Sequence, residues 1–209
     1  MKKLLVVLLL VCAASWAFAD TAQIKVLAAP TGAAGPYKFN VVQSNPAYPS
    51  GNEMLVCFSD LNHIHIGDSW TANVYTIADV TTNPSFALSL AQFQEVAFLS
   101  NELLHNAGNV NLQIAVWTVA GLYNGTDLKS AATYSAATVT SDIAAAFAAA
   151  AANGGYYNAE GALFYIDPNS SPRTGPQPLV GFVPEPGSLL LLGTGILSVA
   201  GAIRRRIIG

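Results

Sequence analysis

The chain has 209 residues, of which 52% are hydrophobic and 10% charged, and its formal net charge is −3. Without its two apolar ends, about 165 residues remain, enough for one domain with its own core and too few for two. Between Asp20 and Val183 there are eleven acidic and four basic residues, a formal charge of −7 (4 − 11). Such an acidic surface repels phosphate backbones, which argues against nucleic acid as a partner.

The first nineteen residues are predicted to be a secretory signal peptide. Two lysines precede an unbroken apolar run over 4–11, and Ala17 and Ala19 are the small residues that come before a cleavage site. A retained membrane anchor is the alternative, but the run is shorter than the roughly 20 residues that span a bilayer. We therefore expect a mature protein that begins at Asp20.

The first half of the remaining chain is predicted to form an antiparallel β unit. Short runs rich in β-forming residues are separated by turn-forming stretches. These runs cover residues 24–27, 37–42, 54–58 and 70–77, with a further alternating stretch over 62–66. In that stretch His63 and His65 share one face, as a metal site would need, but no third ligand is near in sequence and solvent-facing polar residues explain the pair as well.

The middle of the chain changes to a helical period. Ser89 starts a capping box, which predicts the beginning of a first helix. A second helix, apolar on nearly all sides, runs from about 111 to 123. Ser141 is expected to cap an alanine-rich third helix that continues through Ala152. A late strand over 161–166 completes an α+β ectodomain over residues 20–167. Residues 168–182 are expected to be a linker with a last strand.

Cys57 is the only thiol left once the signal peptide, with Cys12, is removed. In an oxidising compartment it is either a buried inert thiol, half of an intermolecular disulfide, or a thiol consumed by other chemistry. Gln113 is predicted to face the core on the second helix, where its carboxamide needs hydrogen-bond partners. A structural glutamine that ties the helix to neighbouring backbone satisfies that need.

The segments Val56-Cys57-Phe58 and Leu112-Gln113-Ile114-Ala115-Val116-Trp117 resemble the signature stretches of bacterial surface thioester domains. In that family the cysteine thiol attacks the glutamine side chain, ammonia leaves, and nucleophiles of a target later open the thioester. The resemblance implies a possible Cys57–Gln113 bond and a covalent adhesin. The sequence offers little for an enzyme, since it has no Gly-x-Ser-x-Gly elbow and no phosphate-binding glycine loop; no catalytic residue, cofactor or metal is predicted.

The C-terminal segment 183–209 is predicted to be a sorting signal. Pro184, Glu185 and Pro186 break the chain, and the uncharged stretch 189–203 would span about 22 Å as a transmembrane helix. Three arginines follow and are predicted to stop translocation: Arg204, Arg205 and Arg206. This tail resembles the PEP-CTERM signal of Gram-negative bacteria, which exosortase, a membrane-embedded transpeptidase, recognises; an ordinary tail anchor is the alternative.

The two ends agree on one topology, in which the ectodomain crosses the inner membrane and is displayed outside the cell. We expect a non-catalytic protein of the cell surface or the exopolysaccharide matrix, held transiently in the membrane during sorting. Its expected partners are exosortase and an exopolysaccharide or another surface ligand. The alternative function is that of a covalent adhesin. A secreted enzyme is a third class.

Overall fold

A computed structural model of the chain describes residues 20–30, 34–83, 85–152, 159 and 161–183. Within these residues, six strands form a closed antiparallel barrel in the order β1-β2-β3-β6-β5-β4. The strands are β1 Asp20–Ala28, β2 Tyr37–Gln43, β3 Gly51–Cys57, β4 Ser69–Thr76, β5 Ala162–Ile166 and β6 Leu179–Phe182. Chain neighbours pair early in the sequence, whereas β6 closes the barrel between β3 and β5, more than a hundred residues after β3.

Alternation along each strand decides which side chains fill the barrel. In β1, Ala22, Ile24 and Val26 are buried, while Gln23 and Lys25 between them are exposed. The interior cluster continues with Phe39, Leu55, Cys57, Leu163, Tyr165 and Leu179. Because successive residues of a strand point to opposite sides, one register suffices to put every apolar side chain of this set inside.

Three helices form a second layer outside the barrel. They are α1 Leu90–His105, α2 Val110–Val119 and α3 Ala136–Ala152, and a short 3-10 turn, Val80–Thr82, precedes them. The helices bury Val56 of β3, the outward-facing residues of β5 and Val180 of β6 in a second core. In this core Phe58, Phe93 and Phe164 meet edge to face with ring centroids 5.1–6.4 Å apart. Such pairs add roughly 0.5–1.5 kcal/mol beyond the area they bury.

The predicted α+β class is confirmed. The Ser89 capping box is present in full, because the Ser89 hydroxyl accepts from the Gln92 backbone N–H and the Gln92 side chain accepts from the Ser89 N–H. The late strand predicted over 161–166 is β5. The second helix ends earlier than predicted, at Val119, because Gly121 adopts a positive φ of 67° and turns the chain.

The strand predicted over 62–66 is wrong. Asn62 is buried, and its carboxamide donates to the backbone carbonyls of Ser171 at 2.9 Å and Thr174 at 2.8 Å. The segment is therefore a loop anchored by its first residue. The alternation of isoleucine with histidine along it does not reflect a strand of the sheet. His63 and His65 are both exposed on this loop.

The predicted start of the third helix is also wrong. The helix begins at Ala136, five residues before Ser141, and the Ser135 hydroxyl accepts from the Thr138 backbone N–H at 3.3 Å. Val139 on the first turns is buried against the second core. Ser141 is an exposed residue inside the helix.

Residues 168–182, expected to be a linker with a last strand, contact the domain before that strand begins. Gln177 donates through Nε2 to the Ser59 carbonyl at 3.0 Å, and the Phe58 N–H donates to the Pro178 carbonyl at 3.2 Å. Strand β6 follows immediately and ends at Phe182. The folded barrel therefore reaches to within two residues of Pro184.

None of the helices in the described part of the chain is both long and apolar enough to cross a membrane. The transmembrane helix predicted over 189–203 lies outside the described residues, as do the signal peptide with Ala17 and Ala19 and the arginines Arg204, Arg205 and Arg206.

Candidate functional site

Gln113 lies at the contact between helix α2 and the barrel. Asn109 caps the helix, its Oδ1 accepting from the N–H groups of Asn111 and Leu112, and this cap fixes the first turn that carries Gln113. The Gln113 side chain is fully buried. Its Oε1 accepts from the Gly35 N–H at 3.1 Å, and its Nε2 donates to the Cys57 carbonyl at 2.9 Å. Both ends of the carboxamide thus bind backbone groups of the β unit.

Gly35 is fitted closely to this carboxamide. A Cβ atom at position 35 would lie 2.9 Å from Gln113 Oε1, and the ring of Tyr37 is within 3.7 Å of the same point. A side chain at this position would therefore push the carboxamide off its partners. The peptide bond between Gly35 and Pro36 is cis.

Trp117 lies one turn after Gln113 and shares its acceptor. The Trp117 Nε1–H donates to the Cys57 carbonyl at 3.2 Å, so that one oxygen accepts two side-chain hydrogen bonds. The Trp117 indole stacks on Tyr123, with centroids 5.8 Å apart and an interplanar angle of 26°, and Lys129 Nζ lies 5.6 Å from the Tyr123 ring centroid. The end of β3 is therefore held from the helical side by an amide and an indole.

The Cys57 side chain lies on the other side of β3. It packs in the barrel interior with Leu55 and Leu179, whereas Val56 and Phe58 on either side of it belong to the helical core. The thiol is free and buried, and its burial raises its pKa well above the usual range. Tyr37 lies beside it, and burial followed by the Cys57 charge raises the pKa of Tyr37 to about 12. At neutral pH the thiol is protonated and a poor nucleophile.

The structure thus brings Gln113 to the main chain of Cys57 but leaves the thiol on the far side of the strand. The sequence predicted both the burial of Gln113 and its need for partners. It placed Trp117 in the same stretch as Gln113 but did not indicate that Trp117 binds the Cys57 carbonyl or that Gly35 binds Gln113, because these contacts depend on a loop and a strand end that come together only in the folded barrel.

Asp60 is a second buried polar group near this site. Its backbone N–H donates to the Leu122 carbonyl at 2.9 Å, and its Oδ2 accepts from the Asn124 N–H at 3.1 Å, so it ties the end of β3 to the loop after α2. Burial is the largest influence on this carboxyl and raises its pKa to about 6. The Asn124 hydrogen bond lowers the pKa, Asp127 raises it, and His63 lowers it.

The histidines do not come together as a metal site would require. His65 Nδ1 lies 3.6 Å from Asp68 Oδ2, and His105 Nδ1 is 2.8 Å from the Asn101 carbonyl. In the part of the chain that the structure describes, no three His, Cys, Asp or Glu side chains are grouped closely enough to hold a metal ion.

The sorting residues Pro184, Glu185 and Pro186 lie outside the described residues, so the comparison with known proteins carries their interpretation. Residues 182–206 match the PEP-CTERM protein-sorting motif. The match starts at Phe182, the last residue of β6, and ends at Arg206. Searches of curated proteins and of solved structures found no match to this chain.

The match covers the three parts that the sequence predicted for the tail, namely the Pro-Glu-Pro motif, the apolar stretch and the arginine cluster. It supports an exported protein that is anchored transiently in the membrane and processed by an exosortase. The resemblance of the ectodomain to thioester domains has no support from these comparisons.

Proposed function

We propose that this chain is a non-catalytic protein of the cell surface or extracellular matrix, delivered by exosortase processing at Pro184-Glu185-Pro186. The observation that carries the proposal is the match of residues 182–206 to the PEP-CTERM sorting motif. The signal-like start of the chain and the acidic, weakly charged ectodomain are in keeping with it.

The position of β6 supports processing of a folded ectodomain. Val183 is still held by a hydrogen bond from its N–H to the Gly161 carbonyl at 2.8 Å, and Pro184 follows directly. A cut within or after the Pro-Glu-Pro motif would leave all six strands in the released part. The sorting enzyme would therefore release an intact barrel.

The test is Glu185→Ala, expressed in the native host. We expect an uncut precursor that stays in the membrane fraction, seen by immunoblot as a band larger than the wild-type product. Ser188→Ala, three residues further along, is the control and should be processed normally. Unchanged processing of Glu185→Ala would show that the tail is an ordinary membrane anchor and not a sorting signal.

A covalent adhesin with a Cys57–Gln113 thioester is a second candidate, favoured by the 2.9 Å hydrogen bond from Gln113 Nε2 to the Cys57 carbonyl. In the reaction the Cys57 sulfur would bond to Gln113 Cδ, the Cδ–Nε2 bond would break, and the thiol proton would leave with the amide nitrogen as ammonia. The thiol first has to turn from the barrel interior, where it packs with Leu55 and Leu179, to the helical side of β3.

Intact-mass measurement decides between an inert thiol and the bond. A mass lower than the sequence mass by one ammonia, absent from Cys57→Ala, supports the thioester. A full sequence mass, with one thiol that titrates after unfolding, excludes it and leaves the non-catalytic proposal standing.

A further inference from the structure

Among the residues that the structure describes, no helix covers one face of the barrel. On β1, on β2, on β3 as far as Met54 and on β4 as far as Asn73, the outward side chains are exposed or half-buried, whereas the helical layer covers Val56, Tyr75 and the outward residues of β5 and β6. We call these outward residues the open sheet face; the ones that carry the argument are Gln23, Lys25, Lys38, Asn40, Asn52 and Thr71.

The charge of the open sheet face is opposite to that of the domain. The ectodomain has a formal charge of −7, yet two of its four basic residues, Lys25 and Lys38, are on this face and exposed. The outward positions of the four strands carry no carboxylate. Glu53 of β3 lies opposite Phe39, on the interior side, and the Asp68 carboxylate just before β4 accepts from the His65 N–H at 2.8 Å.

The strand register arranges the polar groups of this face in a row. Lys25 pairs with Ser69 on one side and with Asn40 on the other, and Asn40 pairs with Asn52. Lys38 lies two residues before Asn40, on the same side of β2. Neighbours in such a row are about 4.8 Å apart across strands and about 7 Å apart along one strand. Ammonium, amide and hydroxyl groups therefore follow one another at short intervals over four strands of the barrel surface.

One amide of this face is already oriented. Gln23 Nε2 donates to Thr71 Oγ1 at 2.6 Å across the β1–β4 pair. Amides and hydroxyls both donate and accept hydrogen bonds, as sugar hydroxyls do, and lysines bind carboxylates as point charges. The face thus combines the groups that recognise hydroxyls with two that recognise negative charge.

The row leads into a cavity of about 240 Å³ at the Lys38 end of the face. Its walls include Pro36, Lys38, Met54, Ala107 and Gly108. Met54 is 45% exposed at its edge and pairs with Lys38. An apolar wall with a single ammonium group at its edge suits the ring face of a sugar that bears a carboxylate.

We propose that the open sheet face binds an acidic polysaccharide, with Lys25 and Lys38 on its carboxylates and the amide row on its hydroxyls. Nucleic acid fits less well, because a continuous polyphosphate needs more than two cations and would run past the acidic remainder of the domain. The assignment of a polysaccharide partner rests on the proposed display outside the cell, since the matrix is where such polymers lie.

The test measures binding of the detergent-solubilised full chain to immobilised alginate, a polyuronate, beside immobilised dextran and double-stranded DNA. We expect binding to alginate that falls as salt rises, with little retention on dextran. The double variant Lys25→Glu/Lys38→Glu should bind alginate at least about tenfold more weakly, the combined effect of two reversed surface charges.

The matched control is Lys129→Glu/Arg173→Glu. It makes the same change in net charge with the other two basic residues of the ectodomain, and it should keep alginate binding within about twofold. Circular dichroism establishes that both double variants are folded.

Three results would overturn the proposal: no alginate binding by the wild-type chain, an equal loss in both double variants, or DNA binding as strong as alginate binding. Each of these leaves processing at Pro184-Glu185-Pro186 untouched. Unchanged processing of Glu185→Ala, which would contradict the proposed sorting, would in turn leave the measured alginate affinity standing.

Discussion

Gln113 and Cys57 illustrate how a single side chain can hold two layers of a domain together. The carboxamide of Gln113 spans from the Gly35 N–H to the Cys57 carbonyl, two backbone groups that lie in different parts of the β unit. Trp117 adds a second donor to the same carbonyl. Because the site is closed to water, removal of the carboxamide leaves the Gly35 N–H without a partner.

We expect Gln113→Ala to lower the free energy of unfolding by about 1–3 kcal/mol, because it leaves the buried Gly35 N–H without an acceptor, whereas the Cys57 carbonyl keeps its hydrogen bond from Trp117. Urea unfolding followed by tryptophan fluorescence measures the loss. Gln23→Ala, a change of the same side chain on the exposed face, should cost less than about 0.5 kcal/mol. Equal losses in the two variants would show that Gln113 is not a structural tie.

The raised pKa of Asp60 predicts that the stability of the domain depends on pH. Burial raises its pKa in the folded state to about 6, above the usual value of 3.8, so the folded protein holds more protons than the unfolded chain between these pH values. Stability is then highest below about pH 4 and falls as the pH rises through 6. Burial also raises the pKa values of Glu53, Glu95 and Asp142, which act in the same direction.

Asp60→Asn should reduce this dependence, since the amide oxygen still accepts from the Asn124 N–H but carries no charge at any pH. At pH 7.5 the free energy of unfolding of Asp60→Asn should exceed that of the wild type by about 1 kcal/mol. This is less than the full pKa shift of Asp60 would give, because water screens the carboxyl. Thermal unfolding of both proteins at pH 4 and pH 7.5 tests this. The prediction would be contradicted by a wild-type melting temperature that rises from pH 4 to pH 7.5, with the same pH dependence in Asp60→Asn.

At the scale of the secondary structure element, local signals predicted best where the deciding contacts are local. The capping box at Ser89 is formed by residues three apart, and the sequence predicts it correctly. For the start of α3 the sequence predicted Ser141, whereas the structure has Ser135. The choice between them depends on Val139, which is buried in a core made by other helices.

The two serines of α3 give a direct test of that choice. Ser135→Ala should lower stability by about 0.5–1 kcal/mol, because it removes the acceptor of the Thr138 N–H at the helix start. Ser141→Ala places the best helix former at an exposed interior position and should be neutral or slightly stabilising. Chemical denaturation of the two variants measures the difference, and the reverse order would put the helix start back at Ser141.

Long-range contacts explain where the sequence misled. The stretch 62–66 has the alternation of a strand, but Asn62 is committed to the carbonyls of Ser171 and Thr174, more than a hundred residues away. Likewise, proline and serine between 167 and 178 favour a free linker, yet Gln177 binds the Ser59 carbonyl. A local pattern carries no information about partners so distant in the chain. For the same reason the pairing of Gln113 with Gly35 was not predictable.

At the scale of the whole molecule, the four residues of β6 decide whether the barrel closes. They hydrogen-bond to β3 on one side and to β5 on the other. Leu179 and Val180 are completely buried, one in the barrel interior and the other in the helical core. The strand therefore joins the two cores as well as the two edges of the sheet, and it is the last element before the sorting tail.

We expect the segment 20–183 to fold, and the segment 20–178, which lacks β6, to lose its fixed tertiary structure. Burial of Leu179 and Val180 contributes about 1.5–3 kcal/mol each, and two open strand edges add to the loss. The sum approaches the 5–15 kcal/mol that stabilises a typical domain. Near-ultraviolet circular dichroism and a thermal melt of both segments provide the measurement: 20–183 should melt cooperatively, whereas 20–178 should show no sharp transition. If 20–178 melts as sharply and at the same temperature, β6 is dispensable, and a sorting cut upstream of it would be as compatible with a folded product as a cut at Pro184-Glu185-Pro186.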